Sequence, residues 1–257
     1  MPGTPEGEDL KTTVLDRVAT VTLDRAARRN ALTAATMREL RATLAAVDAR
    51  EDVDVIVLTG SDPAFCAGLD LDELATSADN LHEGGRAPPV PPLAKPLIGA
   101  INGAAVAGGL ELALHSDFLV ASVRARFADT HARVGVVPGW GAAAGLPHGV
   151  GARNALSMSL TARFVDAEEA LRIGLVSEVV EHERLLVRVG ELARQIVDND
   201  QPTVRALLAL MRRTSGVSLA EGLRMEVEAS AAWRERAVDS AEIGRRKQSI
   251  FERNSAG

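Results

Sequence analysis

The spacing of apolar residues changes several times along this chain, and each change marks an element. Residues 12–15 and 18–23 are β-rich runs separated by Asp16-Arg17, which predicts a hairpin. A charged loop covers 24–30. Beyond it Met37, Leu40, Leu44 and Val47 recur at helical spacing, with Thr33 placed to cap the helix. Residues 53–58 form a short apolar run of strand type, closed by Thr59-Gly60. Residues 61–67 read as loop and 70–74 as the start of a short helix. The stretch 76–92 is polar and then Pro-rich, the pattern of a mobile surface segment. A buried strand is predicted at 97–101, a buried helix at 108–115 and a strand at 118–121. Residues 133–151 are dense in Gly, Pro and Ala and read as loop with room for one short helix. Helices at 154–160 and 167–173 and a strand at 175–180 follow.

From Glu183 the pattern is helical throughout. One helix runs to about Asn199, another starts near Pro202, a third is capped by Ser218 with Glu221, and a last covers 240–252. The chain therefore divides into a mixed β/α core, 1–199, and a helical region, 200–257. Strands separated by helices predict an α/β sheet with covered faces. The helical region carries more apolar positions than the nearby core can cover, which points to packing on another subunit.

Composition narrows the function classes. The 257 residues are 46% hydrophobic and 25% charged, ordinary for a globular protein. A net charge of −6 and the mixing of basic runs with acids argue against a nucleic-acid binder. One cysteine, Cys66, excludes an intrachain disulfide and suits a reducing compartment. The His and Cys residues have no metal-ligand spacing. The first ten residues contain no apolar signal core and no apolar run is long enough to span a membrane, so the expected location is the cytoplasm.

The densest chemistry lies in KPLIGAINGAAVAGGLELALHSDFLVAS, residues 95–122. Glu111 stands alone among apolar neighbours after Gly108-Gly109. A buried acid needs a partner or a task. One reading is structural, a pair with an Arg or with His115 one turn on. The other is catalytic, a proton-transfer group beside backbone N–H groups that the glycines leave open to a ligand. In AFCAGLDLD, residues 64–72, Gly68 precedes a helix start and exposes N–H groups, that of Leu69 included. Alone this is an ordinary turn. With Gly108 it supplies the second donor of an oxyanion hole. Cys66 has no nucleophile signature and reads as a buried spectator thiol. In ARFADTHARVGVVPGWG, residues 125–141, Asp129 and His131 are open to a structural or a titrating role, and Trp140 reads as a pocket wall. The chain has no G-x-S-x-G elbow, Walker A loop, H-E-x-x-H or dinucleotide fingerprint.

Five blocks in order carry a family resemblance. They are Arg29-Asn30-Ala31-Leu32, VIVLTGSDPAFCAGLDLDEL at 55–74, KPLIGAINGAAVAGGLELAL at 95–114, GVVPGWG at 135–141 and LTARFVDAEEALRIGLVSEVV at 160–180. The chain resembles the enoyl-CoA hydratase/isomerase (crotonase) superfamily over residues 14–180. The resemblance implies an α/β fold, a crotonase-like spiral of β-β-α repeats with two sheets, and a C-terminal helical trimerisation region giving trimers or dimers of trimers. It implies an acyl-CoA substrate, no nucleic acid, no membrane, and no metal or redox cofactor, coenzyme A being part of the substrate. The N–H groups of Leu69 and Gly108 would hold the thioester oxygen. Ala31, Ala67, Leu69, Asp70 and Gly108 would contact the coenzyme A thioester. Glu111 matches the first of the hydratases' two catalytic glutamates, which hold and split a water adding across the 2,3 double bond.

The second glutamate of that pair, four residues after the Phe of its block, is His131 here. Three chemistries stay open. In the first, His131 serves as the second acid or base of a hydratase-like lyase; in the second, Glu111 alone shuttles a proton in a double-bond isomerase; in the third, the site runs thioester hydrolysis, decarboxylation or dehalogenation. A non-catalytic acyl-CoA binder is a further alternative, against which an intact Glu111 argues. The Pro-rich 87–92 segment falls at the family's variable acyl-pocket wall, so acyl length is not legible.

Overall fold

The computed structural model describes residues 9–76, 88–237, 244 and 247. It divides into two units, 1–201 and 202–257, each described by itself.

The first unit opens with the expected hairpin, β1 (Leu10–Leu15) and β2 (Val18–Leu23), paired antiparallel in register Leu15↔Val18. Asp16 and Arg17 both have positive φ, 49° and 65°, as a two-residue turn matching the strand twist requires. Thr33 caps α1 (Ala34–Asp48), its hydroxyl accepting from Thr36 N at 3.0 Å. The helix buries Met37, Leu40, Leu44 and Val47, each worth about 1.5–3 kcal/mol of apolar burial. Lys95, 2% exposed, donates from Nζ to the carbonyls of Val47 and Arg50 at 3.3 and 2.5 Å. A cation thus meets the carbonyl end of α1.

The larger sheet has strand order β1-β2-β3-β5-β7-β10, with β3 (Val55–Gly60), β5 (Leu97–Ile101), β7 (Phe118–Ser122) and β10 (Glu178–Val180) all parallel to their neighbours. Every residue of β3 and β5 is buried, which explains why both read as continuous apolar runs. The smaller sheet has order β4-β6-β8-β9: β4 (Ala64–Cys66), β6 (Ala104–Val106), β8 (Arg126–Ala128) and β9 (Val165–Asp166). Successive pairs β3/β4, β5/β6 and β7/β8 give one strand to each sheet before a helix follows, which is the spiral of β-β-α repeats. The helices of this unit are α2 (Leu71–Thr76), α3 (Gly108–Leu114), α4 (His131–Val134), α5 (Ala142–Val150), α6 (Ala152–Thr161), α7 (Ala167–Arg172) and α8 (Leu185–Val197).

Several expectations need correction. The loop at 61–67 contains β4, and β6 and β8 have no counterpart in the sequence reading. Three-residue strands are too short to show a period, and only their partners define them. Residues 133–151 hold α5 and the end of α4, because alanines among the glycines suffice for helix once Ala142, Leu146 and Val150 are buried. The last strand is three residues, 178–180, rather than six. Of the segment 76–92, residues 77–87 lie outside the described residues, whereas Val90 is buried in the core rather than at the surface, as is Leu93 just beyond the segment.

The second unit contains α9 (Gln201–Thr214), which begins one residue before the division, and α10 (Leu219–Ala237), where Ser218 Oγ accepts from Glu221 N at 3.3 Å. The helix expected at 240–252 lies outside the described residues apart from residues 244 and 247.

Candidate active site

Three parallel strands of the small sheet, β4, β6 and β8, lie side by side and end at the same edge. Their C-terminal ends deliver the candidate residues in spatial order. The chain leaving β4 carries Ala67–Asp70, the chain leaving β6 carries Gly108 and Glu111, and the chain leaving β8 carries Asp129 and His131. Residues 40 and 20 positions apart in sequence become neighbours because adjacent strands are only about 4.8 Å apart.

The first arm is clamped by a second segment. Ala67 N donates to Arg29 O at 3.0 Å, Leu32 N to Gly68 O at 2.8 Å and Asp70 N to Leu32 O at 2.9 Å. Ala31, Ala67 and Leu69 are thereby brought together. The peptides flanking Leu69 are used in this ladder, so strand alternation turns the N–H of Leu69 to the opposite side. Gly68 has φ +95°, and a methyl group there would stand 2.8 Å from Val106 O and 3.3 Å from Gly108 N. The two expected oxyanion donors, on Leu69 and Gly108, therefore come from backbones in close approach.

Gly108 opens α3. Ala107 before it has φ 49° and ψ −115°, a conformation that costs on the order of 1–3 kcal/mol and is held by Ala107 N donating to Ala128 O at 2.9 Å. This sets the direction of the free N–H groups of the first turn. A methyl group on Gly108 would lie 2.9 Å from Trp140 Cζ3, and one on Gly109 would collide with the Cys66 carbonyl oxygen. Close approach to a ligand was the expected reason for this glycine pair. The structure adds another: Gly109 lets α3 sit directly on β4, and Gly108 accommodates the Trp140 ring.

Glu111, 2% exposed, lies in the first turn of α3, where the helix dipole favours an anion. Its Oε1 accepts from Trp140 N at 2.7 Å and from Ala142 N at 3.1 Å. Its Oε2 lies 3.3 Å from His131 Nε2. His115, the expected structural partner, instead bonds through Nε2 to Trp140 O at 2.8 Å, and burial lowers its pKa. On the far side of His131, Nδ1 lies 2.6 Å from Asp129 Oδ1. Burial opposes a charge on His131, but hydrogen bonds and attraction from Asp129 and Glu111 outweigh it and raise its pKa to about 9. The same His131 hydrogen bond holds Asp129 down at about 2, with Ser159 contributing a further bond. Asp129 and His131 also line a cavity of about 330 Å³ whose walls include Val136, Pro138, Ala142 and Leu156.

A family model described as "Enoyl-CoA hydratase/isomerase" matches residues 14–239. The chain belongs to the enoyl-CoA hydratase/isomerase family. A "Probable enoyl-CoA hydratase" of Rhizobium meliloti is 41% identical over 217 residues, covering 82% of this chain and 83% of that protein. A crystal structure titled as an enoyl-CoA hydratase from Mycobacterium tuberculosis H37Rv is 50% identical, covers 90% of this chain and 100% of its own, and superposes with TM-score 0.76. The enoyl-CoA hydratase of Bacillus anthracis is 29% identical, covers 96% and 97%, and superposes with TM-score 0.85.

The remaining residues of this hydratase/isomerase family site have structural neighbours. Asp70 caps α2, its Oδ1 accepting from Asp72 N and Glu73 N at 3.2 and 3.4 Å, and its Oδ2 lies 3.3 Å from Arg25 Nη1. Its side chain is occupied in holding the arm, which leaves backbone to face a ligand. Asn30, buried and with φ 56°, donates from Nδ2 to Ser61 O and Ala64 O, both at 2.7 Å, and accepts from Arg25 N at Oδ1 at 2.9 Å. The sequence placed Asn30 in a matching block without a role, and asparagine's tolerance of left-handed backbone is the signal its residue type offered. Cys66 is fully buried with its thiol pushed up to about 12, which excludes it as a nucleophile at neutral pH.

A Ser-His-Asp constellation was not anticipated. Ser122 Oγ lies 3.0 Å from His182 Nδ1, and His182 Nε2 lies 3.0 Å from Asp62 Oδ2. Ser122 is 0% exposed and its Oγ accepts from Arg124 N, so it presents no nucleophile and instead ties three chain segments together. Among the described residues no group of three or more His, Cys, Asp or Glu could hold a metal ion, and no helix is long and apolar enough to cross a membrane.

Proposed function

We propose that this protein is an enoyl-CoA hydratase, adding water across the 2,3 double bond of an enoyl-CoA thioester. The observation that carries the reading is the 3.3 Å approach of Glu111 Oε2 to His131 Nε2 beside the close-packed Gly68 and Gly108 backbones. Hydration needs a base for water, an acid for carbon and a sink for electrons, and each has a candidate here.

In this reading the thioester oxygen accepts from the N–H groups of Leu69 and Gly108, and the backbone of Ala31 and Ala67 contacts the coenzyme A portion. Glu111 takes a proton from water as its oxygen bonds to C3. The π electrons move to the thioester oxygen as an enolate, stabilised by about 3–4 kcal/mol per donor in comparable sites. The imidazolium of His131 then gives its Nε2 proton to C2, the enolate collapses, and Glu111 returns the proton to His131 across their contact. Water is consumed, and no net proton or electron is gained or lost.

The reading supports an acid in place of the second glutamate: a histidine raised to about 9 is protonated at neutral pH, as a proton donor must be. The alternative, isomerisation by Glu111 alone, leaves His131 without chemistry. For the second unit we propose subunit contact, supported by Leu219, Leu223 and Val227 at i, i+4 and i+8 of α10, all exposed.

The test is loss of the conjugated thioester absorbance of short and long trans-2-enoyl-CoA, with a 3-hydroxyacyl-CoA product by mass. Glu111→Ala should abolish the loss and His131→Ala should lower turnover. Loss of the absorbance with no gain of mass would favour isomerase chemistry, and an unchanged hydration turnover in His131→Ala would remove His131 from the proposed mechanism. Binding of CoA thioesters with no absorbance change would overturn the hydratase reading.

A further inference from the structure

We propose that Asp129 is a positioning residue, anchoring the His131 ring so that Nε2–H is aimed at Glu111 and the imidazole stays a proton donor. That there is a proton to deliver rests on the hydratase reading; the anchoring of the ring does not.

The geometry carries the proposal. Asp129 Oδ1 lies 2.6 Å from His131 Nδ1 and also accepts from His131 backbone N at 3.3 Å. One carboxylate oxygen thus fixes both the ring and the peptide that bears it. With Nδ1 committed as a donor, only Nε2 can exchange protons with Glu111 and substrate. Asp129 is 3% exposed, and burying a carboxylate without a cation would be costly. Its partner on the other side is the Ser159 hydroxyl of α6.

The charges facing His131 can be assigned element by element. Glu111 approaches from α3, and Asp129 from the turn after β8. From α6 the polar group is Ser159, which does not ionise in this range. On α4 itself the other charged side chain is Arg133. Two carboxylates therefore flank one imidazole, and each favours its protonated form. Glu111 is consumed as the base during turnover. Asp129 does not touch the reacting atoms, so it is the carboxylate able to keep the ring oriented and charged throughout the cycle.

The experiment follows the His131 ring by NMR in histidine-labelled protein, wild type and Asp129→Asn, alongside the pH profile of kcat/KM on a trans-2-enoyl-CoA. In Asp129→Asn the His131 midpoint should fall by about two units toward the ordinary histidine value near 6.5. The alkaline limb of kcat/KM should move with it. At pH 8 kcat should drop on the order of tenfold with KM nearly constant, and most of the loss should be recovered at pH 6, since one unit is a factor of about ten. Ser159→Ala frees Asp129 of a competing donor and should leave the midpoint raised. A folded Asp129→Asn protein with an unmoved midpoint and an unmoved limb would overturn the proposal. If Asp129→Asn does not fold, the midpoint in Asp129→Ser decides in the same way. If the wild type hydrates no enoyl-CoA, the hydratase reading fails by itself, and the NMR midpoint alone decides whether Asp129 anchors the ring.

Discussion

Glu111 and His131 face each other through one carboxylate oxygen and one ring nitrogen, Oε2 and Nε2, 3.3 Å apart. The other atoms of each group are committed: Oε1 to backbone N–H groups, Nδ1 to Asp129. Each side chain therefore has one atom left for the other, and those two atoms face each other.

Glu111→Gln keeps an oxygen acceptor for Trp140 N and Ala142 N but removes the proposed base. Hydration turnover should fall by roughly 10²–10⁴, the range for loss of a positioned proton-transfer group. Stability to urea should fall by no more than about 1–3 kcal/mol, because the backbone hydrogen bonds survive while the amide nitrogen replaces the oxygen that faces His131 Nε2. A parallel collapse of stability would instead assign Glu111 a mainly structural role.

The charged His131 also ties stability to pH. Its pKa in the fold, about 9, lies above the ordinary value near 6.5, so the folded state holds the proton more tightly. The resulting stabilisation is complete below pH 6.5 and disappears as pH rises through 9. Relative to His131→Gln, the wild type should lose on the order of 2 kcal/mol of unfolding free energy between those pH values. A constant difference between the two proteins across this range would contradict a charged His131.

Gly109→Ala and Gly108→Ala should separate stability from catalysis. At Gly109 the added methyl meets the Cys66 carbonyl oxygen, backbone against backbone, and nothing can yield cheaply. Overpacking of that kind should cost about 3 kcal/mol or more, seen as a lower Tm or insoluble protein. At Gly108 the methyl meets the far end of the Trp140 ring, 2.9 Å away, which can shift. That variant should fold and lose activity, since Trp140 N holds Glu111. Equal loss of Tm in both would show that the Trp140 ring cannot move.

Asn30→Ala removes two buried donors' bonds to Ser61 O and Ala64 O. Ser61 O loses this donor and Ala64 O keeps only Asn102 Nδ2 at 3.3 Å, so the change should cost about 2–4 kcal/mol, and Ala tolerates the left-handed backbone less well. The segment carrying Ala31 would loosen, so KM for CoA thioesters should rise more than kcat falls. An unchanged KM would argue against the proposed contact of this segment with coenzyme A.

Long or strongly periodic elements were legible in the sequence. The hairpin around Asp16-Arg17, the Thr33 cap, the helix bearing Leu40 and Leu44, and the apolar strands read at 53–58 and 97–101 are each specified by local pattern, the first of them two residues early. So was the exceptional setting of Glu111, since an acid after two glycines in an apolar run breaks the pattern around it. What local pattern could not supply was the small sheet. Its strands β4, β6 and β8 are three residues each and exist only because they lie beside one another. That adjacency sets Leu69 near Gly108, and His131 on Glu111 rather than on a structural partner. It also decided that His115 turns to Trp140, that Val90 and Leu93 enter the core, and that Asp129 stands behind His131. Periodicity is a property of neighbours along the chain, whereas a proton-transfer pair is a property of neighbours in space, and here the ends of adjacent parallel strands convert one into the other.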